Sequence, residues 1–216
     1  MADLSVELAG LELANPVLLA SGILDSTPGI LERMADSGAG ALVTKSISLK
    51  PRPGYAGPTV AEVAPGTWIN AMGLPNPGLA EFLDEFDLRG GKVPVIPNLV
   101  ADTPAEFGKL AAGVSEAGAK LAEINLSCPH PQAAYTGLLT AQDPEAAATA
   151  VAAASEHLPV IAKLSPNVSD IGTIAVACAE AGAAAVSAIN TMPALDIDTE
   201  LERPVLGNAF GGLSGP

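Results

Sequence analysis

The sequence predicts an α/β fold and, within that class, a (β/α)8 TIM barrel. Three observations carry the prediction. Apolar strands alternate with Ala-rich helical stretches, the order that builds a parallel sheet. Three helices end on a Gly-Ala step that feeds a strand: Asp36-Ser-Gly-Ala-Gly-Ala-Leu-Val-Thr-Lys45, Glu116-Ala-Gly-Ala-Lys-Leu-Ala-Glu-Ile-Asn125 and Glu180-Ala-Gly-Ala-Ala-Ala-Val-Ser-Ala-Ile-Asn190. Finally, each strand finishes in small or polar residues: Ser21-Gly22, Lys45-Ser46, Asn98, Asn125, Lys163 and Asn190-Thr191. Ligand groups gathered at every strand end point to a barrel mouth, whereas a doubly wound sheet concentrates its site at one switch point.

The elements follow in order. Residues 4–14 alternate around Ala9-Gly10, which predicts a small antiparallel hairpin able to plug the bottom of a barrel. Pro16-Val-Leu-Leu-Ala-Ser-Gly22 is the first strand of the sheet. A helix over 28–37 opens on Pro28, where a missing N–H costs nothing. Gly38, Gly118 and Gly182 each end a helix in the left-handed conformation that other residues resist. Residues 46–74 form a Pro- and Gly-rich excursion, a length that marks a functional loop. Helices over 79–86, 104–117, 144–157 and 169–181 alternate with strands over 94–98, 120–126 and 159–163 and one ending at Asn190. Thr103 or Asp102 suits the N-cap of the helix after Asn98 better than Asn98 itself. Six strands are visible where a barrel needs eight, and the sequence ends at Gly211-Gly-Leu-Ser-Gly-Pro216. The expectation is a single domain over 1–216, truncated after about six βα units, with two unpaired sheet edges.

Composition agrees. Aromatic residues make up only 3%, so the core must come from Ala, Val, Leu and Ile, as in a parallel sheet under Ala-rich helices. Ten basic residues face 24 acidic ones, a formal charge of −14 that makes nucleic acid or an anionic membrane a poor partner. The acid excess also fits a protein from a high-salt cytosol; stability that falls on moving from molar to low salt checks this. Two cysteines, Cys128 and Cys178, form no disulfide framework or zinc spacing, which points to a reducing, cytoplasmic location and to no metal site. The first residues show no signal peptide, and no apolar run reaches a membrane span.

The strand-end residues suggest chemistry. Asn98, Asn125 and Asn190 offer paired donors and acceptors suited to a flat heterocycle with imide-like edges. Lys45 and Lys163, pointed into one pocket, need an anion or an electron-rich group between them. Small Ala20-Ser21-Gly22 lets a flat ring approach the backbone. Cys128, in Asn125-Leu-Ser-Cys-Pro129, can carry a proton once its thiolate is favoured. Simpler readings stand beside these: strand-end lysines reaching solvent, a cysteine packed in a tight loop, Cys178 as helix packing and His157 as a structural residue at a helix end. Trp68 either covers the pocket or packs under the excursion.

Seven motifs then resemble the dihydroorotate dehydrogenase family, in its order and spacing: Asn15-Pro-Val-Leu-Leu-Ala-Ser-Gly22, Val43-Thr-Lys-Ser-Ile-Ser48, Asn70-Ala-Met-Gly-Leu-Pro-Asn-Pro-Gly78, Glu123-Ile-Asn-Leu-Ser-Cys-Pro129, Lys163-Leu-Ser-Pro-Asn167, Asn190-Thr191 and Gly211-Gly-Leu-Ser-Gly215. A cysteine at 128 resembles the soluble class 1 enzymes, and the Asn70–Gly78 motif resembles the NAD-linked class. The resemblance implies FMN at the barrel mouth, held by Ala20, Ser21, Gly22, Lys45, Ser46, Asn98, Asn125 and Lys163, with Gly211, Gly212 and Ser214 near its phosphate. It implies that Lys45, Asn70, Met72, Gly73, Leu74, Asn125, Asn190 and Thr191 bind dihydroorotate or orotate. It implies Cys128 as the base that takes a proton from C5 while C6 gives a hydride to the flavin. The implied partner is an iron–sulfur FAD electron-transfer subunit, in a homodimer or heterotetramer, with fumarate as the alternative acceptor. His130 stands where the family carries an asparagine. That keeps open a dihydropyrimidine dehydrogenase-like subunit acting on uracil or thymine. The missing strands keep open a non-catalytic fragment.

Overall fold

The computed structural model describes residues 2–127 and 140–216. The chain begins with β1 (Val6–Leu8), β2 (Leu11–Leu13) and β3 (Leu18–Leu19), followed by α1 (Pro28–Asp36) and β4 (Ala41–Ile47). The excursion holds β5 (Val60–Ala64) and β6 (Thr67–Asn70) and leads into α2 (Leu79–Glu85). Then come β7 (Val95–Leu99), α3 (Pro104–Glu116), β8 (Ala122–Asn125), α4 (Pro144–Ser155), β9 (Val160–Lys163), α5 (Ile171–Glu180) and β10 (Ala185–Ser187). Last are β11 (Met192–Leu195), β12 (Ile197–Asp198), β13 (Arg203–Pro204) and β14 (Phe210–Ser214).

The central sheet is parallel, with six strands in the order β10–β9–β8–β7–β4–β3. Strand alternation sorts its side chains into two layers. Ile47, Leu99, Ala122, Ile124, Val160 and Ala162 face outward, into a core shared with Phe107, Leu110, Val114, Val151 and Ile174 of the helices. Ala41, Val43, Ile96, Leu121 and Ile161 face inward and meet Leu11 and Leu13 of the β1–β2 hairpin. The hairpin therefore plugs the lower end of the inner face, as its alternation predicts. Truncating Leu121, 1% exposed in this layer, to Ala costs about 2–5 kcal/mol.

Helix ends obey local chemistry. Pro28, Pro104 and Pro144 occupy first turns. The Thr103 hydroxyl accepts from the Glu106 amide and caps α3, which frees Asn98 for other work. Gly38, Gly118 and Gly182 all have positive φ. Cys178 is buried in the helical layer, where desolvation pushes its thiol up to about 11, so packing is its role. No helix among the described residues is long and apolar enough to cross a membrane.

One part differs from expectation. The excursion is not plain loop, and no helix follows β10 among the described residues. Instead β5 and β6 form an antiparallel sheet with two late strands, in the order β11–β14–β6–β5. Ile69, Ala71 and Leu206 give it a small core of its own. In β6 Trp68 points outward, 44% exposed, while Ile69 points inward to the small core. Among the described residues, β3 and β10 each pair on one side only, so the parallel sheet is a partial barrel.

Candidate active site

Inward residues of the sheet change from apolar to polar along each strand. Above Leu121, just before β8, come Glu123 and Asn125 of that strand; above Ile96 in β7 comes Asn98; above Ile161 in β9 comes Lys163. Register puts Asn98 beside Glu123, and Asn125 beside Lys163. The side chains then join. Asn98 Nδ2 donates to Glu123 Oε1 at 2.5 Å, and Lys163 Nζ lies 3.5 Å from the same oxygen. All three residues are buried. A carboxylate only accepts, so Asn98 must turn its amide nitrogen toward Glu123 and its oxygen away. That Oδ1 is buried without a partner, an acceptor waiting for a donor.

Asn125 is the junction. Its Nδ2 donates to Ser46 Oγ at 3.4 Å, and its Oδ1 accepts from Asn190 Nδ2 at 3.2 Å and from the Ser127 amide at 3.1 Å. Ser46 is on β4 and Asn190 follows β10, so these bonds span the concave face. A β-bulge between Val43 and Ser46 brings Ser46 beside Asn98 and lets the Thr44 hydroxyl accept from the Asn98 amide at 3.1 Å.

Lys45 is partly buried and donates to Gly22 O at 2.7 Å. Burial holds its ammonium below the usual lysine range; Asp25 opposes that shift and Lys163 adds to it. Neither lysine simply reaches solvent. Ala20, Ser21 and Gly22 form the turn after β3, and a Cβ on Gly22 would meet nothing within 4 Å, so the turn faces open space.

The excursion is tied to the end of β4 and to β14. Tyr55 N donates to Met72 O at 2.9 Å, and Asn76 Nδ2 to Leu74 O at 2.9 Å. Asn76 Oδ1 also accepts from the Ser48 and Gly78 amides, which ties the Met72-Gly73-Leu74 turn to the end of β4. Asn70 Nδ2 donates to Gly212 O at 3.3 Å. A Cβ on Gly212 would fall 1.9 Å from Thr191 Oγ1, so only glycine lets Asn70 and Thr191 meet across β14. Gly211 lies beside Gly212 in that strand, and Ser214 pairs with Trp68. Cys128 and His130 lie outside the described residues.

A family model described as dihydroorotate dehydrogenase matches residues 3–216. The chain belongs to the dihydroorotate dehydrogenase family. Relatives named dihydroorotate dehydrogenase B (NAD(+)), catalytic subunit, include one from Pyrococcus furiosus, 48% identical over 99% of this chain and 71% of its own length. One from Thermococcus kodakarensis is 46% identical over 100% of this chain and 71% of its own length. One from Methanothermobacter thermautotrophicus is 44% identical over 99% of this chain and 70% of its own length. Membership implies a flavin cofactor. The residues fit such a group: a buried acceptor at Asn98, open space over Gly22, and two cations beside several amides.

Glu123, Asp25, Thr44 and Asn76 bond to the candidate residues or their neighbours and are not singled out by the sequence. Glu123 carried a signal, because it stands two residues before Asn125 on a strand and so shares its face. The other three depend on tertiary contacts.

Proposed function

We propose that this chain is the catalytic subunit of an NAD-linked, class 1 dihydroorotate dehydrogenase, oxidising dihydroorotate to orotate in pyrimidine biosynthesis with FMN as its flavin. The observation that carries the reading is the Asn125 junction, bonded to Ser46 and Asn190 beside the Lys163–Glu123–Asn98 cluster. It makes one polar floor from five strands, as a flat ring requires.

Bound there, the flavin supplies the two-electron acceptor that no side chain provides. In this reading Ala20, Ser21 and Gly22 lie against it, and Lys45, Ser46, Asn98, Asn125 and Lys163 hold its polar edge. Asn70, the Met72-Gly73-Leu74 turn, Asn190 and Thr191 orient the pyrimidine. Their donors stabilise the charge that grows on its carbonyl as C5 loses a proton. Cys128 is the base. It follows in sequence directly on Ser127, whose amide is tied to Asn125. The contact of Gly211 and Gly212 with Asn70 and Thr191 favours a part in shaping the substrate end over a phosphate contact. The partner is an iron–sulfur FAD subunit in a heterotetramer, and the compartment is the cytoplasm. The names of the relatives favour dihydroorotate over uracil or thymine.

The test is turnover of the FMN-loaded chain with a dye acceptor, comparing dihydroorotate with dihydrouracil. Dihydroorotate is expected to be oxidised, and Cys128→Ala to lose about 10²-fold or more while FMN still binds. Near-normal turnover by that variant removes Cys128 from the mechanism. Dihydrouracil as the better substrate overturns the substrate assignment, and efficient use of fumarate by this chain alone overturns the NAD-linked one.

A further inference from the structure

Asp25 lies in the turn between β3 and α1, preceded by half-exposed Ile23 and Leu24, yet its own side chain is fully buried. Burying a carboxylate costs several kcal/mol unless it is compensated. Here the compensation is a closed ring of three residues. Asp25 Oδ2 accepts from the Gly22 amide at 2.5 Å. Gly22 O accepts from Lys45 Nζ at 2.7 Å. The Lys45 amide donates to Asp25 O at 3.1 Å. The second carboxylate oxygen, Oδ1, is buried with no hydrogen-bond partner.

We propose that Asp25 is a positioning residue: it pins the Gly22 turn on which Lys45 Nζ rests and sets a counter-charge behind that lysine. The charges that bear on it are Lys45, through space, and Lys163, which has its own carboxylate in Glu123. Burial is the largest influence on Asp25 and raises its affinity for a proton, against the Gly22 amide and Lys45. The sign follows. A carboxylate bound more tightly to its proton in the folded state contributes stability below its ordinary range, and that contribution is lost as pH rises through the folded value. Above that value the charge on Asp25 is a burden on the fold, tolerated for what it does to Lys45.

Asp25→Asn keeps an acceptor for the Gly22 amide and deletes only the charge. The readout needs no flavin: cyanate carbamylation of the full chain at fixed pH, read by peptide mass spectrometry at Lys45 relative to exposed Lys109. Without its counter-charge Lys45 faces Lys163 alone, loses protons more readily and reacts faster. About tenfold is expected for each pK unit of coupling lost, with a Tm that holds or rises at neutral pH. Asp25→Glu, which restores the charge, is expected to slow the reaction again. An unchanged Lys45 rate in Asp25→Asn, or a lowered Tm without a rate change, overturns the proposal and leaves Asp25 a purely structural anchor. The place of Lys45 at a flavin site rests on the reading above, which is tested apart from this by FMN uptake. Wild-type chain that takes up no FMN would break that reading, while the carbamylation result decides the role of Asp25 independently.

Discussion

Lys163 and Lys45 stand at the ends of strands in one sheet, yet their charges are balanced in different ways. Lys163 meets Glu123 at 3.5 Å, and both side chains come from the inward face of adjacent strands. Strand alternation alone brings them together, and the Asn98 amide completes the cluster. Lys45 is instead balanced by a carboxylate from a turn, through Gly22 and through space. One pair belongs to the rigid scaffold. The other belongs to the turn that faces the open side. A site that must hold a flat ring firmly and still let it enter has use for both.

The largest effect is expected from breaking the rigid pair. Lys163→Met leaves Glu123 buried against Asn98 and should cost about 3–5 kcal/mol in chemical denaturation. The double variant Lys163→Met, Glu123→Gln should recover a large part of that loss. Strictly additive losses would mean that the two residues do not act as a pair.

Lys45→Met is expected to cost less, because Lys45 is only partly buried. Its cost should depend on pH. Asp25 already holds its proton more tightly in the fold, and removing Lys45 strengthens that shift. The deficit against wild type should thus be small below the ordinary carboxylate range and grow as pH rises through the folded value. A deficit that is flat with pH would uncouple the two residues.

A smaller contrast concerns the outer layer. The Cys178 thiol, pushed up to about 11 by burial, should resist iodoacetamide in the folded protein and react only after unfolding. Rapid labelling of Cys178 in the native state would contradict its place in the helical core. The least effect is expected at the exposed Lys92–Asp36 pair. Lys92→Ala should leave the melting curve nearly unchanged, with any residual shift fading in salt.

The same comparison explains what the sequence made legible. The inward face was readable because period-two alternation carries Leu121, Glu123 and Asn125 to one side whatever the rest of the chain does. The plugging hairpin and the Thr103 cap were readable for the same local reason. The antiparallel sheet was not. Its strand β14 reads Phe-Gly-Gly-Leu-Ser, without alternation, and it meets β6 across 142 positions of sequence. Asp25 was hidden differently: nothing local says that a carboxylate between Leu24 and Ser26 will be buried. Cys128 is marked by its polar strand-end neighbours and by family resemblance. It lies outside the described residues, so its role rests on the turnover test above.

The central claim is that this polar floor binds a flavin and passes it electrons from dihydroorotate. The most direct measurement is an anaerobic visible titration of the purified chain, loaded with FMN, against dihydroorotate. The expected result is a yellow protein that bleaches on addition of dihydroorotate and not of dihydrouracil. A chain that takes up no FMN, or one that stays yellow with excess dihydroorotate, would contradict it.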